Sequence, residues 1–258
     1  MKTTAIALAL LAAAGSASAA LTAGDIAFTG YITNGSPDSF SFVNLVDLTA
    51  GDVIYFTDNG WTGSGFRGSS ATDGDGNENF IRFTVNSTIT AGTIIRTSAS
   101  NAAWTWTRTG AIAGTTSGSY ADIALGQGGD QITAFTNTNT SNPMFNTATQ
   151  TALSQIDYTG AFENAVDSGS GNVVPGLSQA QNTAILFNNL STFAQFNTAA
   201  LTSGTQAQWL AAINNAANWT FGSGTGASLA GGSISIIPTP GSIALLGLAG
   251  LVVGRRRR

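Results

Sequence analysis

Phe80-Ile81-Arg82-Phe83-Thr84-Val85 decides the fold class. Ile81, Phe83 and Val85 stand at every second position, with Arg82 and Thr84 between them. A period of two sends the apolar set to one face of a strand and the polar set to the other. A helix would scatter the same residues around its circumference. Such a strand belongs to a sheet packed on one side, as antiparallel sheets commonly are. On either side, short apolar runs bounded by Gly, Thr, Ser and Asn repeat the signal. They cover residues 25–32, 40–45, 53–57 and 93–97, then 104–107, 131–136, 183–187 and 233–236. One segment, 205–214, has helical spacing: Thr205 can cap it, and Trp209, Leu210 and Ile213 fall on one face. The expected architecture is all-β, an antiparallel β-sandwich with one short helix.

A local echo supports many short strands. Leu21-Thr22-Ala23-Gly24, Leu48-Thr49-Ala50-Gly51 and Ile89-Thr90-Ala91-Gly92 each precede a strand-like run. Their spacings of 27 and 41 residues differ, so this is a recurring turn and not a solenoid period.

The two ends read differently from the middle. Lys2, an apolar run over 5–14 and Ala17-Ser18-Ala19 have the form of a signal peptide. Signal peptidase would cut between Ala19 and Ala20; the alternative is a short buried helix. At the other end, Pro238-Thr239-Pro240 precedes an apolar run over 243–253 and the arginines Arg255, Arg256, Arg257 and Arg258. A helix over the 14 residues 241–254 spans roughly 21 Å, short of a bilayer core of about 30 Å. A packed core helix is therefore one reading. The other is a weakly held membrane helix whose arginines stay on the cytoplasmic side during export. The domain plan is a leader at 1–19, an exported β domain at 20–236 and a tail with a membrane segment at 237–258.

Proline motif, apolar helix and terminal arginine cluster, in that order, closely resemble the PEP-CTERM sorting signal of Gram-negative bacteria. The resemblance implies recognition by an exosortase that processes the tail near Pro238, Thr239, Pro240 and Gly241. It also implies a transient stay in the inner membrane and a final place at the cell surface or in the extracellular matrix. Thr239 departs from the family motif, which has Glu there. Gly24-Asp25-Ile26-Ala27-Phe28, the stretch Val53-Ile54-Tyr55-Phe56-Thr57-Asp58-Asn59-Gly60-Trp61 and the stretch from Ala211 to Trp219 carry a second resemblance. They are similar to lamin-tail-like β-sandwich domains of exported bacterial proteins, which implies a fold but no reaction.

Composition narrows the chemistry. Between residues 20 and 240 four arginines face all 13 acidic residues, a net charge of −9, so nucleic acid is not an expected partner. The chain has no His and no Cys, and Lys2 is its single lysine. Ser-His-Asp and Cys-His arrangements, the usual zinc sites and Schiff-base chemistry all lack their residues. Carboxylate chemistry and oxygen-ligated hard metals remain. No disulfide can staple the exported domain.

Three constellations are candidates within these limits. Asp73, Asp75 and Asn77 alternate as the first ligands of a calcium loop do, but Glu78 and Thr84 stand where an EF-hand needs Gly and Glu. Calcium is thus a possible cofactor, and a solvated turn is the plainer reading. Trp61, Trp104 and Trp106, with Tyr120, could present a sugar-stacking surface; filling the sandwich core is the commoner use of strand aromatics. Asp58, Glu78 and Glu163 supply carboxylates for a glycosidase pair, without any indication of distance. The leading expectation is a non-enzymatic exported protein with a structural or binding β domain and no cofactor. The alternative is a carbohydrate-binding module or glycosidase acting on exopolysaccharide.

Overall fold

The structure is a computed structural model that describes residues 20–34, 38–67, 79–99, 101–110, 123–140, 147–163 and 171–238. In chain order the strands are β1 (Ile26–Ile32), β2 (Ser39–Asn44), β3 (Val53–Thr57), β4 (Asn79–Val85), β5 (Thr93–Arg96) and β6 (Trp104–Gly110). They continue with β7 (Gln131–Asn137), β8 (Gln150–Asp157), β9 (Ala184–Leu186) and β10 (Phe193–Phe196). Helix α1 (Gln206–Ile213), β11 (Trp219–Gly222) and β12 (Gly232–Ser233) complete the order.

Among the described residues the strands form two six-stranded sheets, ordered β11-β10-β1-β2-β5-β12 and β6-β4-β3-β7-β8-β9. Pairing is antiparallel except between β8 and β9. The alternation in β4 has the expected result: Ile81, Phe83 and Val85 are buried in the core while Arg82 and Thr84 are partly exposed. Facing them from the first sheet are Phe28, Phe40 and Phe42. Phe56 meets Phe28, Phe40 and Phe42 at ring distances of 6.1, 4.9 and 5.1 Å, which locks the two sheets face to face. Among the described residues the all-β sandwich is therefore present, with one short α-helix.

The recurring turn is one physical device used three times. Gly24, Gly51 and Gly92 have φ of 88°, 99° and 89°, the left-handed region a type II turn requires at its third position. Asp25 Oδ2 accepts bonds from Thr22 N and Oγ1, and Asp52 Oδ2 accepts the same pair from Thr49. The third copy has Thr93 in place of Asp, and its hydroxyl donates to Thr90 O. Helix α1 starts at the expected cap. Thr205 accepts from Gln208 N while the Gln208 side chain accepts from Thr205 N, a capping box.

Strands β8, β10 and β11 were not among the expected ones. In β8 the register slips between Ala134 and Phe135 of β7, so Leu153 is an extra residue in its strand. That bulge breaks the two-residue period, and the outward face of β8 is polar. Strands β10 and β11 have four residues each and lack the adjacent pair of β-branched residues that marks β5.

The leader, including Ala19, and the tail from Thr239 onward, with its membrane segment, lie outside the described residues. Among the described residues no helix is long and apolar enough to cross a membrane.

Candidate site on the covered outer face of the second sheet

The face of β3, β7 and β8 that points away from the sandwich would ordinarily meet water. Here it is sealed. The register brings three rows across these strands: Tyr55 with Phe135 and Ala152, Thr57 with Thr133 and Gln155, and Gln131 with Asp157. Apart from Ala152, each of these side chains is at most 1 % exposed. One half of the face is aromatic and the other half is polar.

Two segments make the cover. Residues 58–67 follow β3, and residues 171–177 return from β8 toward β9. Backbone and amide bonds sew them together and to the floor. Asn172 N donates to Trp61 O at 2.9 Å, and Gln131 Nε2 donates to Asp58 O. Gln155 grips the second segment at both ends of its carboxamide: Nε2 donates to Asn172 O and Oε1 accepts from Val174 N, each at 3.1 Å. Gly171 is required where the segments cross, because a Cβ would stand 2.8 Å from Trp61 N and 2.9 Å from Gly60 Cα.

Over the aromatic half, Phe66 packs on Phe135 at 5.3 Å and Trp61 on Phe66 at 5.1 Å, while Tyr55 stacks on Phe135 at 5.5 Å. Beside this cluster lies a cleft of about 300 Å³. Trp61, Phe66 and Phe135 line its apolar side, and Ser64, Thr147 and Gln150 its polar side. Its volume is at the lower end of the range for small-ligand pockets.

The polar half holds the unusual electrostatics. Asp157 is fully buried; its Oδ1 accepts from Thr159 N and Oγ1 at 2.8 and 2.6 Å. Its Oδ2 is buried without a hydrogen-bond partner, as are Thr133 Oγ1 and both polar atoms of the Asn59 side chain. Burial pushes the Asp157 carboxyl up to about 6; the Thr159 bonds pull the other way and the Glu163 charge adds to the rise. Asp58 and Asp130 are better satisfied. Asp58 accepts from Ala124 N at 2.9 Å, and Asp130 accepts from Gly126 N and Gln131 N at 2.7 and 2.8 Å. They tie the 123–130 loop to the end of the sheet. Next to them Tyr158 stacks on Tyr31 at 4.3 Å, and burial raises both phenols.

The residues singled out in the sequence are dispersed. Trp61 is 5 % exposed in the outer cluster, whereas Trp104 and Trp106 pack against the inner core from the edge strand β6. Trp106 lies 4.8 Å from Phe83 and 5.7 Å from Phe56. The three tryptophans therefore sit in two separate clusters and form no common surface. Asp58 is buried and Glu163 exposed. Asp73, Asp75 and Asn77, together with Glu78 and Tyr120, lie outside the described residues, as do Thr239, Pro240, Gly241 and Arg255 to Arg258. Ala20 and Pro238, at the two limits, are exposed. Among the described residues no group of three acidic side chains is arranged to hold a metal. The polar floor itself was missed in the sequence. Its one visible trace was Thr133, Gln155 and Asp157 at alternating positions of two neighbouring segments.

Comparison with known proteins finds no matching family model, no matching curated protein and no matching solved structure.

Proposed function

We propose that the chain is an exported, non-catalytic β-sandwich, delivered to the cell surface or extracellular matrix through its PEP-CTERM-like tail. The observation that carries this reading is the order along the chain: a leader-like start, a middle that forms a β-sandwich, and a Pro-Thr-Pro, apolar run and arginine cluster at the end. Leu21 is buried, and Gly24 N already donates to Leu153 O at 2.8 Å. At the other end Ile237 N donates to Gly204 O at 2.8 Å, the last such bond before Pro238. The framework bonds of the described sandwich thus reach close to both expected processing points. Signal peptidase and an exosortase are the partners this reading needs, with the inner membrane as a temporary one.

The intact mass of the protein from its native host, in membrane and extracellular fractions, tests the proposal. A species starting near Ala20 and ending between Pro238 and Gly241 is expected. A mature species that retains Arg255 to Arg258 would make the tail a permanent anchor and end the exosortase reading. Deleting 238–258 should also change the location of the protein.

The cleft beside Trp61 favours a second reading, a carbohydrate-binding module on exopolysaccharide. Glycan binding lost on Trp61→Ala, with the fold retained, is its expected signature. Absence of binding and of hydrolysis across matrix polysaccharides would remove it. Calcium remains attached to Asp73, Asp75 and Asn77 as a proposal from sequence, and a melting temperature unmoved by calcium or chelator would set it aside.

A further inference from the structure

We propose that Thr133 and Gln155 form an intramolecular ester across β7 and β8, a covalent staple within a chain that has no cysteine. The inference stands on the polar floor alone and is independent of where the protein is delivered.

Thr133 and Gln155 are direct cross-strand partners, and both are fully buried on the outer face. Their pair is of the closer kind. Gln155 N donates away from β7, to Thr183 O at 3.1 Å, so toward β7 this is a non-hydrogen-bonded pair. In such pairs the Cα atoms lie about 4.5 Å apart and the side chains are in contact range. Thr133 Oγ1, meanwhile, is buried with no hydrogen-bond partner. A hydroxyl with no partner in a sealed layer is destabilised relative to a satisfied one. No protein hydrogen bond therefore has to be broken for this oxygen to attack.

Gln155 is prepared as the acceptor. The Val174 N–H on Oε1 polarises the carbonyl and stabilises the oxyanion of an addition step. The Asn172 carbonyl holds the amide nitrogen, which is the group that must leave. Asp157 lies two residues further along β8 on the same face, diagonal to Thr133, and its Oδ2 has no hydrogen-bond partner. Diagonal neighbours are about 7–8 Å apart at the backbone, and the two atoms share no hydrogen bond here, so the carboxylate has to turn from its Thr159 bonds to take the Thr133 proton. A carboxyl that burial raises to about 6 can both take and return a proton.

The step balances without any further reactant. Thr133 Oγ bonds to Gln155 Cδ while its proton passes to the Asp157 carboxylate. The tetrahedral intermediate then collapses, the Cδ–Nε2 bond breaks, and the proton moves from Asp157 to the departing nitrogen. The products are an ester and one ammonia. The cover formed by 58–67 and 171–177 keeps water from hydrolysing the product.

Intact-mass measurement on the folded full chain tests this. Wild type is expected to be lighter than its sequence mass by one ammonia. Thr133→Val and Gln155→Glu, which keep the volume, are each expected at their full sequence mass. Asp157→Asn is expected to slow or abolish the loss. Chymotrypsin cuts after Phe135 and Leu153 and so separates the two residues, which trypsin does not, since neither Lys nor Arg lies between Arg108 and Arg255. The digest should contain one branched peptide carrying both residues. A folded wild type at full sequence mass after prolonged incubation would overturn the proposal. So would an ammonia loss that persists in Thr133→Val, since that would come from succinimide formation at an Asn-Gly step.

Discussion

The two faces of the second sheet bury aromatic side chains by different means. The inner face meets another sheet: Phe56, Phe83 and Trp106 interlock with Phe28, Phe40 and Phe42, and the polar groups among the aromatic side chains of this contact are indole N–H groups at its edge and the hydroxyls of the stacked Tyr31 and Tyr158. The outer face meets two loops. Its aromatic half packs Tyr55, Phe66, Phe80, Phe135 and Trp61, but its other half is a sealed floor of Thr57, Gln131, Thr133, Gln155 and Asp157. The inner contact can hold together by area alone, at roughly 25 cal/mol per Å² of apolar surface. The outer one depends on each polar group finding a partner, because a buried group without one loses its hydration for nothing. The path of loops 58–67 and 171–177 is therefore set by the polar floor they must satisfy.

The largest test of this comparison removes an inner anchor. Phe56→Ala should lower unfolding free energy by about 3–5 kcal/mol in urea titration, with loss of protection throughout both sheets. A small and local effect would mean that the sheets do not share one core. Next in size, Phe66→Ala should lower stability by about 2–3 kcal/mol, since a loop can close over a void more readily than a sheet. Hydrogen exchange should then speed up in 58–67 and 171–177 while β2 stays protected. Equal loss of protection in β2 would show that the cover and the core unfold as one unit.

The smallest expected effect has the opposite sign. The Asp157 carboxyl rises from 3.8 to about 6 in the folded protein, so the folded state holds its proton more tightly than the unfolded chain does. Stability from this group is therefore greatest below about pH 4, declines between about pH 4 and 6, and stays low above that. In a Thr133→Val background, which excludes any cross-link, Asp157→Asn should stabilise the protein by about 2 kcal/mol at pH 8, with a ceiling near 3. The Asn keeps an acceptor for Thr159. No gain at pH 8, or an equal gain at pH 4, would remove the claim that this carboxylate is strained by burial.

How much of this was legible in the residues varies by element. The turn copies at Gly24, Gly51 and Gly92 could be read because a positive φ and a following Asp or Thr leave a local signature. Helix α1 was equally plain: cap, box and buried face lie within ten residues. Strand β8 was hidden by the bulge at Leu153 and by polar residues on a face that a sandwich normally gives to water. Trp61, Trp104 and Trp106 looked alike in sequence, yet one belongs to the cover and two to the core. Nothing local separates them, since the difference is which partner lies across the sheet.

The sequence by itself determined the class of architecture, the turns, the helix and the exclusion of His, Cys and Lys chemistry in the domain. Those follow from periodicity, backbone conformation and composition, all short-range properties of the chain. Only the tertiary structure decided that Thr133, Gln155 and Asp157 share a sealed layer beneath residues 58–67 and 171–177. Burial and partnership across strands are set by segments distant in sequence, and a polar residue carries no mark of whether water will reach it.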